Sequence, residues 1–454
     1  MKLASQLAGR WTRLGLTLGV LFVASTSVAR AQEQPRPSAK PPAKAALQLH
    51  DDPLAALLLQ AVNAIEKNDF AAALEPLQKY LAERAEDPYA HFQLGYAYSG
   101  LKRWEDAKVE FTRAIALDPK MAPAYLNLGL VLMESDPAAA ADSFRRAAEL
   151  QPTESRPRYL AGTALERVGK QNEAVEQYRA ALEISPKEYE YNLAIGRELL
   201  RMDRTAEAEV HFRDAVAVRA DSAPAQLGLA NALLAQKKFD AAADALAEYL
   251  KVNSGDRAAR LDHASALVTT GRYDDALAEL DRIEATSAPT VETLKMRGNI
   301  YSRQQKWSQA NDALTRALAP SPKDSDMLLW LGHVKIELRD YSAAIGLLAQ
   351  AYNLDRNSPD PLRELVNAFF LNGDYPETLG AMERLAKLEE PQPSSWFVRA
   401  ICYDKLSRKA EAVAAYQKFL DLNHGQNDTQ DFQARHRIIT LQNELAHEPK
   451  KKKN

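Results

Sequence analysis

From Leu54 onward, apolar residues recur at the three- and four-residue spacing of an α-helix, in stretches separated by short polar turns. Within residues 88–120, Leu94, Gly95 and Tyr98 share one helical face, and Ala107, Phe111 and Ala114 share another. This pattern predicts two amphipathic helices joined by the turn Gly100-Leu101-Lys102. Comparable turns stand at Gly271-Arg272 and Asn372-Gly373-Asp374, and proline closes the second helix at Pro119, Pro152, Pro186 and Pro322. Neither helix can bury its apolar face alone, so each must pack on the other and on its neighbours. The expected fold class is all-α.

A small residue in the first helix is answered sixteen positions later by a bulky one: Gly95 by Phe111, Gly162 by Tyr178, Gly196 by Phe212, Gly298 by Leu314 and Gly332 by Leu348. The small member advances through Ala61, Gly95, Gly129, Gly162, Gly196, Ala230, Ala264, Gly298, Gly332, Val366 and Ala400. Every step is 34 residues except one of 33, at the short turn Glu134-Ser135-Asp136-Pro137. So steady a period marks a repeat array, whose core grows along one axis instead of dividing into ordinary domains. We expect eleven units over residues 51–426. A further helix over 427–448 carries Phe432, Ile438, Ile439, Leu441 and Leu445 among polar residues. It is expected to cap the array and solvate its end.

The 34-residue helix-turn-helix bearing Leu94, Gly95, Tyr98, Ala107, Phe111, Ala114 and Pro119 resembles the tetratricopeptide repeat. An aromatic residue opening the second helix recurs as Phe70, Trp104, Phe239, Tyr273, Trp307, Tyr341 and Tyr375. The resemblance covers residues 54 to about 426. Val366 and Thr378 depart from the small-residue pattern, and Gln171, Thr205 and Lys409 replace the aromatic. The family implies a right-handed α-solenoid of eleven helix pairs plus a capping helix. It also implies a concave face, lined by the first helices, that holds a peptide or helix of a partner protein.

The inner stripe of each first helix then becomes the candidate groove. In the first three units it is apolar: Leu58 and Val62, Phe92 and Tyr96, Leu126 and Leu130. The opening helix is apolar nearly all round, so it needs cover from the preceding Leu47 and Leu49, from a partner helix, or from self-association through the first repeat. Later units offer Lys295, Asn299 and Arg303, then Arg363 and Asn367, which predict a polar groove tolerant of acidic or amide groups. Lys295 and Asn299 resemble part of the family's carboxylate clamp. Trp330, Asp360 and Glu364 stand where the rest of that clamp would require amide or basic residues, so the clamp is rejected. A fainter patch, Arg167, Arg197 and Arg201, has Glu166 and Glu190 nearby to neutralise it.

Residues 1–31 read as an export signal: Lys2, Arg10 and Arg13, an apolar run from Leu14 to Ala24, and small residues ending at Ala29-Arg30-Ala31. Residues 32–50 form a Pro/Ala/Lys leader, and 449–454 a basic tail. The expected location is periplasmic or secreted, with no transmembrane span in the mature form. The net charge of −3 is unevenly spread: four basic residues lie in the signal and four lysines at 450–453. The body between them is therefore strongly acidic, which argues against nucleic acid as a partner. Cys402 cannot form an internal bridge, being the only cysteine, and reads as a small core residue.

No glycine-rich phosphate loop, zinc-protease helix, nucleophile elbow or paired cysteine occurs in the sequence. Nothing points to a cofactor, metal or catalytic residue, and the expected function is protein binding in the groove. The alternative is a structural spacer in a cell-envelope assembly for polysaccharide export or secretion.

Overall fold

A computed structural model describes residues 53–423 and 428–447; the expected signal, leader and basic tail lie outside the described residues. These residues form twenty-three α-helices and no strand. The chain divides into two compact units, Met1–Asp262 and His263–Asn454.

In the first unit the helices follow one another as hairpins: α1 (Pro53–Glu66) with α2 (Phe70–Glu83), α3 (Pro88–Gly100) with α4 (Trp104–Leu117), and α5 (Ala122–Leu132) with α6 (Pro137–Leu150). Then come α7 (Ser155–Arg167) with α8 (Gln171–Ile184), α9 (Tyr189–Arg201) with α10 (Thr205–Val218), and α11 (Ala223–Ala235) with α12 (Phe239–Val252). The division between units falls inside α13 (Arg257–Thr269).

The second unit continues with α14 (Tyr273–Glu284), then pairs α15 (Val291–Arg303) with α16 (Trp307–Leu318) and α17 (Ser325–Glu337) with α18 (Tyr341–Leu354). The remaining helices are α19 (Asp360–Asn372), α20 (Tyr375–Leu385), α21 (Pro393–Lys405), α22 (Lys409–Asn423) and α23 (Asp428–Ala446). Within a unit, helices touch their sequence neighbours and, at several places, the next helix but one, as α3 touches α5 and α17 touches α19. Such short-range stacking is how an α-solenoid builds its core.

The small-bulky pairs of the sequence are the packing contacts inside each hairpin. A Cβ placed on Gly95 would stand 2.9 Å from the Phe111 ring, and one on Gly162 would stand 2.5 Å from the Tyr178 ring. Only a bare backbone lets the ring lie this close. Phe111, Phe144, Tyr178 and Phe212 are accordingly among the largest fully buried side chains.

The turn inside each hairpin has its own period. Asn68, Lys102, Gly169, Asp203, Lys237, Gly271, Gln305, Arg339, Gly373 and Ser407 all adopt the left-handed conformation. From Gly169 to Ser407 each follows the last by 34 residues. The turn between α5 and α6, one residue short in the sequence, has no left-handed residue, and Asp136 instead caps α6 by accepting from the Ala139 amide. Elsewhere Asp87 caps α3 by accepting from the Tyr89 and Ala90 amides, and Thr290 and Thr293 form a capping box on α15.

Cys402 is fully buried, and burial pushes its thiol up to about 12. At the end of the second unit, α23 packs against α22. Its inner face buries Ala434, Ile438 and Leu441, while Phe432 and Ile439 on the opposite side are 71% and 60% exposed. The helix covers one apolar surface and presents another.

Candidate binding groove

The first helix of each hairpin carries the inner stripe, and the structure treats that stripe differently in the two units. In the first, Leu58, Val62, Phe92, Tyr96 and Leu126 are buried, and Leu130 is half-buried. Phe92 is wholly inaccessible, with its ring 5.8 Å from that of Phe111, and Tyr96 meets Phe70 edge-on at 6.2 Å. The sequence offered these residues as groove contacts; the structure assigns five of them to the core. Bulky apolar groups on adjacent helices gain more by closing on one another than by lining an open channel.

Around α7 to α9 the inner surface becomes polar and tightly connected. Arg201 donates to Glu166 at 2.7 Å and also to Glu198; Tyr178 donates to Glu166 at 3.1 Å, and Arg197 lies 4.0 Å from the same carboxylate. Burial would raise the pKa of Glu166, but Arg201 and Arg197 outweigh it and hold the group below its usual range. Glu198 is fully buried, and burial together with the Glu166 charge pushes it up to about 7. The arginine patch is thus internally neutralised, as its neighbours in sequence suggest. Glu190 has no part in this, since it pairs with Arg219 at 3.5 Å, and Arg167 pairs with Glu134 at 2.8 Å.

The polar groove residues of the second unit remain accessible. Lys295 and Asn299 are half-buried on α15 with Arg303 exposed beside them, and Arg363 and Asn367 are half-buried on α19. Of the three cations, Lys295 and Arg363 are held by carboxylates and Arg303 by a neutral amide. Lys295 lies 3.3 Å from Asp324, Arg303 donates to the Asn299 carbonyl at 2.9 Å, and Arg363 is gripped by Glu389 and Asp360.

Between them, α17 supplies a residue the sequence reading passed over. His333 stands 34 residues after Asn299 and 34 before Asn367, so the three hold the same register on α15, α17 and α19. Its Nδ1 lies 3.3 Å from Glu364, and Trp307 meets the ring edge-on at 6.2 Å. Burial alone would lower the pKa of His333; the hydrogen bond and charge of Glu364 outweigh it and raise the group above its ordinary value. The repeat period itself was the signal that could have found this histidine. The arrangement offers amide and imidazole groups at one position of three helices, suited to exchanging hydrogen bonds with a polypeptide and lacking a strong excess of either charge.

Sequence models of the tetratricopeptide repeat match residues 88–121, 134–189, 199–256, 233–291, 295–361 and 363–427, together more than half of the chain. A curated relative, the "Lipoprotein NlpI homolog" of Haemophilus influenzae, is 44% identical over 61 residues, which is 13% of this chain and 19% of that protein. The match therefore spans less than a fifth of the relative. Among solved structures, MamA is 23% identical with a TM-score of 0.36, over 37% of this chain and 92% of its own. YrrB, described as a TPR protein with an unusual peptide-binding site, is 20% identical with a TM-score of 0.38, over 40% of this chain and 95% of its own. PilF of Pseudomonas aeruginosa is 20% identical with a TM-score of 0.36, over 47% of this chain and 97% of its own.

Proposed function

Since this chain belongs to the tetratricopeptide repeat proteins, we propose that it is a protein-binding scaffold, exported to the periplasm or beyond, that holds a partner's peptide or helix on the inner face of its second unit. The observation that carries this reading is the accessible register of Asn299, His333 and Asn367 on three alternate helices, flanked by Lys295 and Arg363. A side-chain amide both donates and accepts, so it can replace the hydrogen bonds that a bound backbone gives up to water. The flanking Lys295 and Arg363 are already paired with carboxylates, which makes hydrogen bonding and shape, more than net charge, the basis of selection.

The first unit supports a different role. Its inner apolar residues are largely spent on its own core, which suits a stiff stacked element better than an open channel. A spacer within an envelope assembly is the second reading, and the closed stripe at Phe92 and Tyr96 favours it.

Capture of envelope proteins by the parent chain and by an Asn299→Arg/Asn367→Arg variant separates the two. A groove scaffold loses a defined partner in the variant while helicity by circular dichroism stays unchanged. Equal capture by both proteins contradicts the groove and supports the spacer.

A further inference from the structure

His333 differs from the two asparagines that share its register, because an imidazole changes both its charge and its hydrogen-bonding role near neutral pH. The structure fixes which nitrogen does so. Nδ1 lies 3.3 Å from Glu364, a residue only 8% exposed, and an ionised carboxylate can only accept, so Nδ1 carries the hydrogen of that bond. It is the one hydrogen bond this carboxylate makes among the described residues, since Oε2 of Glu364 is buried without a partner. Removing the imidazolium charge would leave the buried carboxylate uncompensated, which is costly. Titration therefore falls on Nε2, which has no partner among the described residues on a side chain that is 37% exposed. Protonated, Nε2 donates; neutral, it accepts.

We propose that His333 is the proton-dependent donor of the second-unit groove, giving a hydrogen bond from Nε2 to a neutral carbonyl oxygen of the bound polypeptide and withdrawing it when the proton leaves. This rests on the groove proposed above. The surroundings of the ring support it from each helix packed on α17. Desolvation opposes the proton, but the hydrogen bond and charge of Glu364 on α19, with the charge of Glu337 on α17 itself, outweigh it. The other charges of α19, Asp360 and Arg363, are paired with each other, as are Asp312 and Arg316 on α16 and Lys335 with Asp340. On α18 the only titratable groups are the phenols Tyr341 and Tyr352. Glu364 already balances the imidazolium and Glu337 adds a further negative charge, so a partner carboxylate gains nothing over a carbonyl. Asn299 and Asn367 keep the same donors and acceptors at every pH, which leaves His333 as the one group of the register that switches. Against neutral Nε2 a carbonyl oxygen faces a second acceptor, and the bond is lost.

Calorimetric titration of the purified chain with a decapeptide of alternating alanine and glutamine tests this. The peptide is acetylated and amidated, so any pH dependence belongs to the protein, and its backbone and amide carbonyls suit the groove in any register. Affinity should fall about tenfold as pH rises from about 6 to about 9, the worth of one charge-assisted hydrogen bond. The midpoint should coincide with the titration of the His333 ring followed by proton NMR, above the ordinary histidine value. His333→Gln should abolish the pH dependence, and Glu364→Gln should move the midpoint to lower pH, a shift that no loss of folding could mimic. Binding that is equal across the range, or a pH dependence that survives His333→Gln, overturns the role of His333 and leaves the groove standing. Tighter binding of the same peptide with glutamate in place of glutamine overturns the choice of a neutral acceptor. A peptide held at neither pH contradicts the groove itself, and this inference falls with it.

Discussion

Gly162 and Tyr178 show at single-residue scale what the sequence period means physically. With a Cβ only 2.5 Å from the tyrosine ring, any larger residue at 162 must displace Tyr178, which is itself almost wholly buried. Gly162→Val should therefore cost about 1–3 kcal/mol, measured as a shift in the midpoint of urea unfolding. Glu198 yields a second prediction at this scale. Its pKa is raised from 4.5 to about 7, so between those values the folded chain keeps a proton that the unfolded chain has lost. The resulting stabilisation is greatest at low pH and declines as pH rises toward 7. Glu198→Gln should gain stability relative to the parent at pH 8, by up to about 3 kcal/mol, and gain little at pH 4.5. Equal effects at both pH values would contradict the assignment. The small-bulky pairing was legible because sterics repeat with the fold. The burial of Phe92 and Tyr96 was not, because helical periodicity assigns a residue to a face without showing whether the neighbouring face closes over it.

At the scale of elements, the turns are the informative parts. Seven of the ten left-handed residues are not glycine, which is why composition alone did not reveal them; their 34-residue period follows from the hairpin geometry rather than from residue type. An ordinary side chain in this conformation costs roughly 1–2 kcal/mol. Lys237, exposed at such a turn, is free to be replaced, and Lys237→Gly should raise stability by about 0.5–1 kcal/mol in thermal or denaturant unfolding, after allowing for the entropy glycine adds to the unfolded chain. The one short turn, before α6, gave the correct physical hint in the sequence: the residue it lacks is the left-handed one. The role of α23 was only half legible. Its apolar residues were visible, but two stripes on opposite sides of one helix look like a single scattered set until the packing picks one of them.

For the whole molecule, the proposed binding depends on where polar groups stay open. The two units share the same hairpin, and the apolar stripe of α1, α3 and α5 is closed in the first while the polar stripe of α15, α17 and α19 is accessible in the second. The sequence offered both the apolar stripe from Leu58 and the polar one ending at Asn367 as binding surfaces. Burial separates them, because a residue already in the core has no surface left to give a partner.

The most direct test places a photo-crosslinking amino acid at Asn299, His333 or Asn367, and at the exposed positions Val109 and Val252 as outer controls, in the producing cells. The account predicts one discrete crosslinked protein shared by the three inner positions and absent from both controls. Crosslinks that are equally strong at the controls, or that never form at the inner positions, would contradict a binding groove in the second unit.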